Sequence, residues 1–192
     1  MTKDIFHDRG RAEEAVYFHK QDAILLERLR QKLKLSEIAE ALAEKLKVDN
    51  RELLEKIAEL GVTIDTGAAF ILSPLIEIAW ADGNISQAER ETIIRMARNR
   101  GIAPDSADMS QLLRWLEHRP DDAVFRLAIE AIRVGISVLS HDEAEQRVKE
   151  MVAACEEVAQ SAGGLQRLLS LRARVSPRER TALDEIARRL AV

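Results

Sequence analysis

Three oxygen-bearing side chains lie close together in the sequence and could bind a divalent cation. Asp82 and Asn84 flank Gly83 in a predicted turn, and Glu89 follows shortly after. Carboxylate and amide oxygens are the ligands that Ca²⁺ and Mg²⁺ take in proteins. The spacing also matches the second half of an EF-hand loop. We therefore consider Asp82, Asn84 and Glu89 as candidate ligands of a Ca²⁺ or Mg²⁺ ion.

A complete EF-hand is excluded. The early ligand positions of such a loop would be Ile78 and Trp80, which carry no side-chain oxygen. Ca²⁺ takes about 6–8 oxygen ligands, more than the three candidates and a backbone carbonyl supply. An ion site would need carboxylates from another helix, for instance Asp121 or Asp122. The alternative is that the turn and the residues after it serve the architecture alone.

The same segment predicts how the fold is built around the turn. Apolar residues at helical spacing precede the turn, and Ser86 with Glu89 forms the capping-box pattern that starts a second helix. The closing part of the chain repeats this pattern, with Ser176 and Glu179 at an offset of 90 residues. We expect Ser86, Glu89, Ser176 and Glu179 to be structural caps in two pseudo-repeated halves that pack together.

The composition of the 192-residue chain indicates an all-α protein. It has only eight glycines and four prolines, and it is rich in residues that favour helices. A net charge of −4 argues against a nucleic-acid-binding protein, which is usually basic. Charged residues interrupt every apolar run and no signal peptide opens the chain, so we expect no transmembrane segment and a cytoplasmic protein.

No residue pattern typical of an enzyme is recognisable. The chain has no phosphate-binding glycine loop, no H-E-x-x-H and no G-x-S-x-G. Its one cysteine, Cys155, can form no disulfide within the chain and lies on the apolar stripe of a predicted helix. We therefore expect a non-enzymatic protein in which Cys155 is a buried apolar side chain.

Three regions follow from the helical periodicity. Residues 1–34 read as a charged N-terminal helix, and residues 63–192 as the main helical domain. Residues 35–62 read as two short helices, the first capped by Ser36 and the second by Asp49 with Glu52. This middle region is interpreted as a connector or a small helical module.

The turn segment carries a family resemblance. Residues 81–86 (Ala-Asp-Gly-Asn-Ile-Ser) with Glu89 resemble the TerB-like family of tellurite-resistance and stress-associated proteins, over roughly residues 66–192. The resemblance implies a compact helical bundle with pseudo-symmetric halves, cytoplasmic and non-enzymatic. It also implies a metal-sensing or scaffolding role beside membrane-associated complexes. A tellurite phenotype is not transferred on similarity of fold alone.

The N-terminal helix carries a second resemblance. Its residues 11–33 resemble the inhibitory segment of the F-type ATPase inhibitor family, in which an amphipathic helix inserts between catalytic subunits and blocks ATP hydrolysis. The residues that carry this resemblance, and that it implies bind the partner, are Glu13, Glu14, Tyr17, Phe18, Gln21, Leu26 and Leu29. The alternative is a helix that docks on its own domain or forms a homodimer as a short coiled coil.

The ion hypothesis predicts a stability effect. If Asp82, Asn84 and Glu89 bind Ca²⁺ or Mg²⁺, a concentration about 100 times the Kd adds about 2.7 kcal/mol to the free energy of unfolding. Thermal unfolding in millimolar CaCl₂ or MgCl₂ measures this gain, and the double substitution Asp82→Asn with Glu89→Gln should abolish it. A wild-type Tm that does not change with either ion would contradict the hypothesis.

Overall fold

The structure is a computed structural model that describes residues 2–162 and 175–190, with side chains described from residue 20 onward. Its described residues contain helices and loops and no strand, so the all-α prediction is confirmed. None of its described helices is both long enough and apolar enough to cross a membrane. The helices are α1 (Thr2–Leu46), α2 (Arg51–Glu59), α3 (Gly67–Ile71), α4 (Ser73–Ala79), α5 (Gln87–Asn99), α6 (Ala107–Glu117), α7 (Asp122–Ser137), α8 (His141–Ser161) and α9 (Pro177–Leu190).

The first helix differs from the prediction. Helix α1 is continuous from Thr2 to Leu46, so the predicted break near residue 35 is wrong. Ser36 does not cap a helix; its hydroxyl accepts a hydrogen bond from Arg51 Nη2 at 2.7 Å and ties α1 to α2. Helix α1 ends at Leu46, and the next residue, Lys47, has a left-handed φ of 56°. Serine, a good cap, can also occupy a helix interior when its hydroxyl finds a partner.

The cap of α2 also differs from the prediction by one residue. Asn50, not Asp49, is the N-cap, and its Oδ1 accepts a hydrogen bond from the Leu53 amide at 3.1 Å. Asparagine and aspartate cap helices about equally well, so the sequence alone could not separate the two neighbours. Glu52 forms an ion pair with Lys56 on the exposed side of the helix.

Two apolar clusters meet at α7. One contains the end of α1, helix α2 and Phe70. The other contains α4, α5, α6, α8 and α9. Helix α7 supplies Val124 and Leu127 to the first cluster and Phe125 and Ile129 to the second, so residues 35–62 pack directly on the main helical bundle.

Helix α4 lies at the centre of the larger cluster. All its residues except Glu77 are buried, and α5, α7, α8 and α9 pack around it. Pro74 lies in its first turn, where proline is tolerated because the missing amide would have no helical partner. Helices α5 and α9, which begin at the two repeated capping boxes, both contact α4 and α8. This shared placement is the arrangement expected of pseudo-repeated halves.

The C-terminal end of α1 is packed and its shaft is exposed. Shortening a leucine side chain should therefore lower stability at the packed end and not on the shaft. Leu42 is fully buried, whereas Leu33, nine positions earlier on the same helix, is 66% exposed. Leu42→Ala should lower the free energy of unfolding by about 2–5 kcal/mol because it leaves a cavity. Leu33→Ala is the matched control and should change it by at most about 0.5 kcal/mol. Urea unfolding measures both, and equal effects would contradict this division.

Candidate functional site

The predicted ligand residues of the turn have local structural roles. Gly83 adopts a φ of 94°, which a side chain would strain. The Asn84 amide donates a hydrogen bond to Asp82 Oδ1 at 3.1 Å, and both side chains are exposed. Trp80, just before the turn, donates a hydrogen bond from Nε1 to the Trp115 carbonyl at 2.9 Å. This bond anchors the turn to the end of α6.

The two repeated segments form reciprocal capping boxes, as their spacing predicts. In the first, Glu89 Oε2 accepts from the Ser86 amide at 2.7 Å, and Ser86 Oγ accepts from the Glu89 amide at 3.3 Å. In the second, Glu179 Oε2 accepts from the Ser176 amide at 2.5 Å, and Ser176 Oγ accepts from the Glu179 amide at 3.1 Å. Each pair satisfies two backbone donors at a helix N-terminus.

Both capping glutamates are buried. Glu89 and Glu179 are each only 2% exposed, although carboxylates usually stay in water. Burial raises the pKa of Glu89, the Ser86 hydrogen bonds lower it, and the nearby Glu179 and Asp82 carboxylates raise it further. Glu179, at the N-terminus of α9, is therefore near enough to Glu89, at the N-terminus of α5, to influence its pKa. Among the described residues Glu179 Oε1 has no hydrogen-bond partner.

The sequence predicts Glu179 as a helix cap and predicts no other role for it. The offset of 90 residues aligns Glu179 with Glu89. In the sequence, this alignment alone indicates that the two carboxylates are related in the fold. Asp121 and Asp122 instead serve α7: Asp121 accepts from the Ala123 amide at 2.7 Å, and Asp122 pairs with Arg119 at 2.5 Å. Among the described residues, neither belongs to a group of three or more acidic, histidine or cysteine side chains that could hold a metal ion.

The Glu179 carboxylate disfavours the ionised form of Glu89, because like charges repel each other. Helix N-termini offset part of that repulsion. Within the described ranges no group of three or more histidine, cysteine, aspartate or glutamate residues is placed to hold a metal ion. The ion site at Asp82, Asn84 and Glu89 therefore stays a prediction.

Another acidic side chain, that of Glu77, links α4 to α9. Glu77 of α4 pairs with Arg189 of α9 at 3.3 Å, and both side chains are largely buried. Burial raises the pKa of Glu77, while the Arg189 guanidinium lowers it. Burial, with the Glu77 carboxylate nearby, raises the pKa of Cys155 to about 12. The Cys155 thiol stays protonated at neutral pH, so it is a poor nucleophile, as its apolar stripe predicts.

The shaft of α1 exposes an apolar face. Every described side chain from Lys20 to Lys34 is exposed. Four leucines, which we call the leucine face, lie within this stretch and are 50–66% exposed: Leu25, Leu26, Leu29 and Leu33. Of the residues that carry the ATPase-inhibitor resemblance, Leu26 and Leu29 belong to this face, and Gln21 is exposed nearby. The side chains of Glu13, Glu14, Tyr17 and Phe18 lie outside the described residues.

Comparisons of the chain with protein-family models, curated proteins and solved structures found no match. The class of protein therefore rests on the fold and the surfaces just described. They define an all-helical domain with paired buried caps and a long helix that leaves the domain.

The paired caps predict an unusual pH dependence. The folded-state pKa of Glu89 lies above its ordinary value, so the folded protein holds this proton more tightly than the unfolded chain. The contribution of Glu89 to stability is therefore lost as the pH rises from the ordinary pKa through the raised one. Glu89→Gln keeps an acceptor for the Ser86 amide and removes the buried charge. It should raise the Tm at neutral pH by about 2–4 °C, equivalent to about 1 kcal/mol.

Glu143 provides the matched control. It completes a capping box with Ser140 on the solvent side of α8, and the Ser140 hydrogen bonds lower the pKa of Glu143. Its contribution is present above the ordinary pKa and is lost as the pH falls through the lowered one. Glu143→Gln should therefore lower the Tm slightly at neutral pH. Calorimetry between pH 4 and 8 compares the two variants, and a destabilised Glu89→Gln protein would contradict the analysis.

Proposed function

We propose that this protein is a non-enzymatic interaction module of the cytoplasm, in which the leucine face of α1 binds a partner protein and the helical domain acts as the anchor. The observation that carries the proposal is the exposed shaft of α1, from Lys20 to Lys34, with four exposed leucines. Clustered exposed aliphatic side chains mark interaction surfaces, whereas single ones need no explanation.

The leucine face is separate from the face that α1 uses against its own domain. At about 100° per residue, Leu26, Leu29 and Leu33 share one side of the helix. Ala39 and Leu42, which are buried in the domain, lie on a different side. The contact between α1 and the rest of the domain therefore does not extend onto the leucine face.

A helix is the partner element that fits this face best. Leu26, Leu29 and Leu33 follow the three- and four-residue spacing of a coiled-coil seam. Charged residues border the seam, among them Glu27 and Arg30, which lie 3.9 Å apart in a solvent-exposed ion pair. Such borders set partner choice and orientation more than affinity. A second copy of the chain, forming a homodimer, is one partner that satisfies these requirements.

The TerB-like resemblance supports a stress-associated scaffold that responds to a divalent ion and works beside a membrane-associated complex. What supports this proposal is that a reciprocal capping box starts both α5 and α9. The carboxylates of Asp82 and Glu89, with the Asn84 amide oxygen, would supply the ion response. A bound cation would relieve the repulsion between them.

An alternative function is regulation of an F-type ATPase through α1. The continuous helix spans residues 11–33, as an inserting inhibitory helix requires. Gln21, Leu26 and Leu29, which carry the resemblance, are exposed and available to a partner. In this function the helical domain is the anchor or sensor, and the partners are the F-type ATPase subunits.

Substitution of the leucine face tests the proposal. Leu26, Leu29 and Leu33 are replaced together by serine, and the matched control replaces Lys20, Arg28 and Gln31, on the opposite side of the shaft, by serine. Burying a leucine contributes about 1.5–3 kcal/mol, so the triple leucine variant should weaken partner binding at least about 100-fold. The control should stay within about threefold. The Tm of the domain should change little in either variant, because all six side chains are exposed.

Three readouts separate the candidates. Sedimentation equilibrium of the pure protein tests the homodimer, and inhibition of ATP hydrolysis by purified F-type ATPase tests the regulator. Pull-down from the native host's lysate, with both variants as baits, tests other partners. Loss of a partner from the leucine variant but not from the control supports the interaction module. Identical behaviour of wild type and leucine variant in all three assays would contradict it.

A further inference from the structure

A cavity of about 420 Å³ opens between the end of α1, α3, α7 and the first half of α8. Its size is within the range of small-molecule sites in proteins. The floor is aliphatic and includes Leu72, Ile102, Ile132 and Met151. Neither the capped turn nor the leucine face takes part in this cavity, so it has no role in the proposed function.

A helical glycine helps to leave the cavity open. Gly135 of α7 lines the cavity at a helix-compatible φ. A Cβ built on Gly135 would meet only the carbonyl oxygens of Leu46 and Lys47, at 3.7 Å and 3.9 Å, which is ordinary contact. Alanine would therefore fit there, and glycine has a lower helix propensity than alanine. The backbone does not require glycine at this position.

The mouth of the cavity is basic. Lys45, Lys47, Arg100 and Arg147 line it together with a single acid, Glu150, which pairs with Arg147 at 3.4 Å. Four cations around one opening oppose the net charge of −4 of the whole chain. Cations do stabilise the C-terminal ends of helices, and Lys45 and Arg100 lie at the ends of α1 and α5. That role does not account for Arg147, which lies within the first half of α8.

We infer that this cavity binds a small amphiphilic anion, namely a carboxylate with a linear aliphatic tail such as a free fatty acid. The aliphatic floor takes the tail, because burial of apolar surface favours binding. The carboxylate lies at the mouth, where guanidinium and ammonium groups stabilise it by charge-assisted hydrogen bonds. A neutral molecule would gain no electrostatic attraction from these cations, and a compact phosphate would leave the aliphatic floor empty.

Calorimetric titration of the full chain with dodecanoate, below its micelle concentration, tests the inference. Saturable binding of one dodecanoate per chain is expected, together with a rise in Tm. Dodecanol, which has the tail without the charge, should bind at least about tenfold more weakly, and acetate, which has the charge without the tail, should not bind. The absence of dodecanoate binding, or equal binding of dodecanol, would overturn the inference.

Two matched pairs of variants locate the site. Gly135→Leu fills the cavity and should reduce dodecanoate binding at least tenfold, whereas Gly135→Ala should keep most of it. Arg100→Gln removes a cation at the mouth and should weaken binding about tenfold, whereas Arg98→Gln, on the exposed surface of the same helix, should leave it unchanged. Because Arg100 is exposed, this second pair remains decisive if Gly135→Leu does not fold.

Anionic vesicles of phosphatidylglycerol distinguish a membrane surface from a free ligand. Binding of vesicles without binding of monomeric dodecanoate would overturn the inference in favour of a lipid surface. Equal affinity of Gly135→Leu and wild type for dodecanoate would place the ligand elsewhere and would also overturn it. Since the leucine-face variants leave the cavity intact, they should bind dodecanoate normally even if the proposed function is wrong.

Discussion

The burial of α4 is the constraint on which the rest of the structure depends. This seven-residue helix is too short to be stable alone, since isolated helices of this length do not form in water. It exists because α5, α7, α8 and α9 cover it on all sides. Its one partly exposed residue, Glu77, is paired with Arg189 of α9, so even its polar side chain is tied to the surrounding bundle.

The position of α4 also determines where the two acidic caps lie. The chain leaves α4 through the turn at Gly83 and immediately starts α5 at Ser86. Helix α9 returns to the same neighbours, α4 and α8, and begins with the same type of box. Two carboxylates that each satisfy a local cap are thereby both buried. Local capping therefore conflicts with the cost of burying a charge at both helix starts.

Helix α1 connects the packed interior with a surface that no other described element covers. Its last turns are part of the core through Leu42, whereas its shaft exposes the leucine face. A helix held rigidly at one end presents such a face with little loss of conformational freedom on binding, which favours association. The cavity beside the same end of α1 lies within the domain, so occupancy of the cavity and binding at the shaft involve different surfaces of one helix.

The sequence by itself determined the local features: the all-α class, the Gly83 turn, the capping boxes of α5, α8 and α9, and the burial of Cys155. These depend on residues three or four positions apart, whose interactions are the same in any fold. It did not determine that α1 continues past Ser36, because a serine serves as a cap or as an interior acceptor according to whether Arg51 reaches it.

Only the tertiary structure decided that Glu179 lies near enough to Glu89 to raise its pKa, that Asp121 and Asp122 serve α7, and that Gly135 borders a cavity with a basic mouth. Each of these depends on how helices distant in sequence pack against α4 and α7. Packing of that kind follows from the shapes of many side chains together, and no spacing within a single segment encodes it.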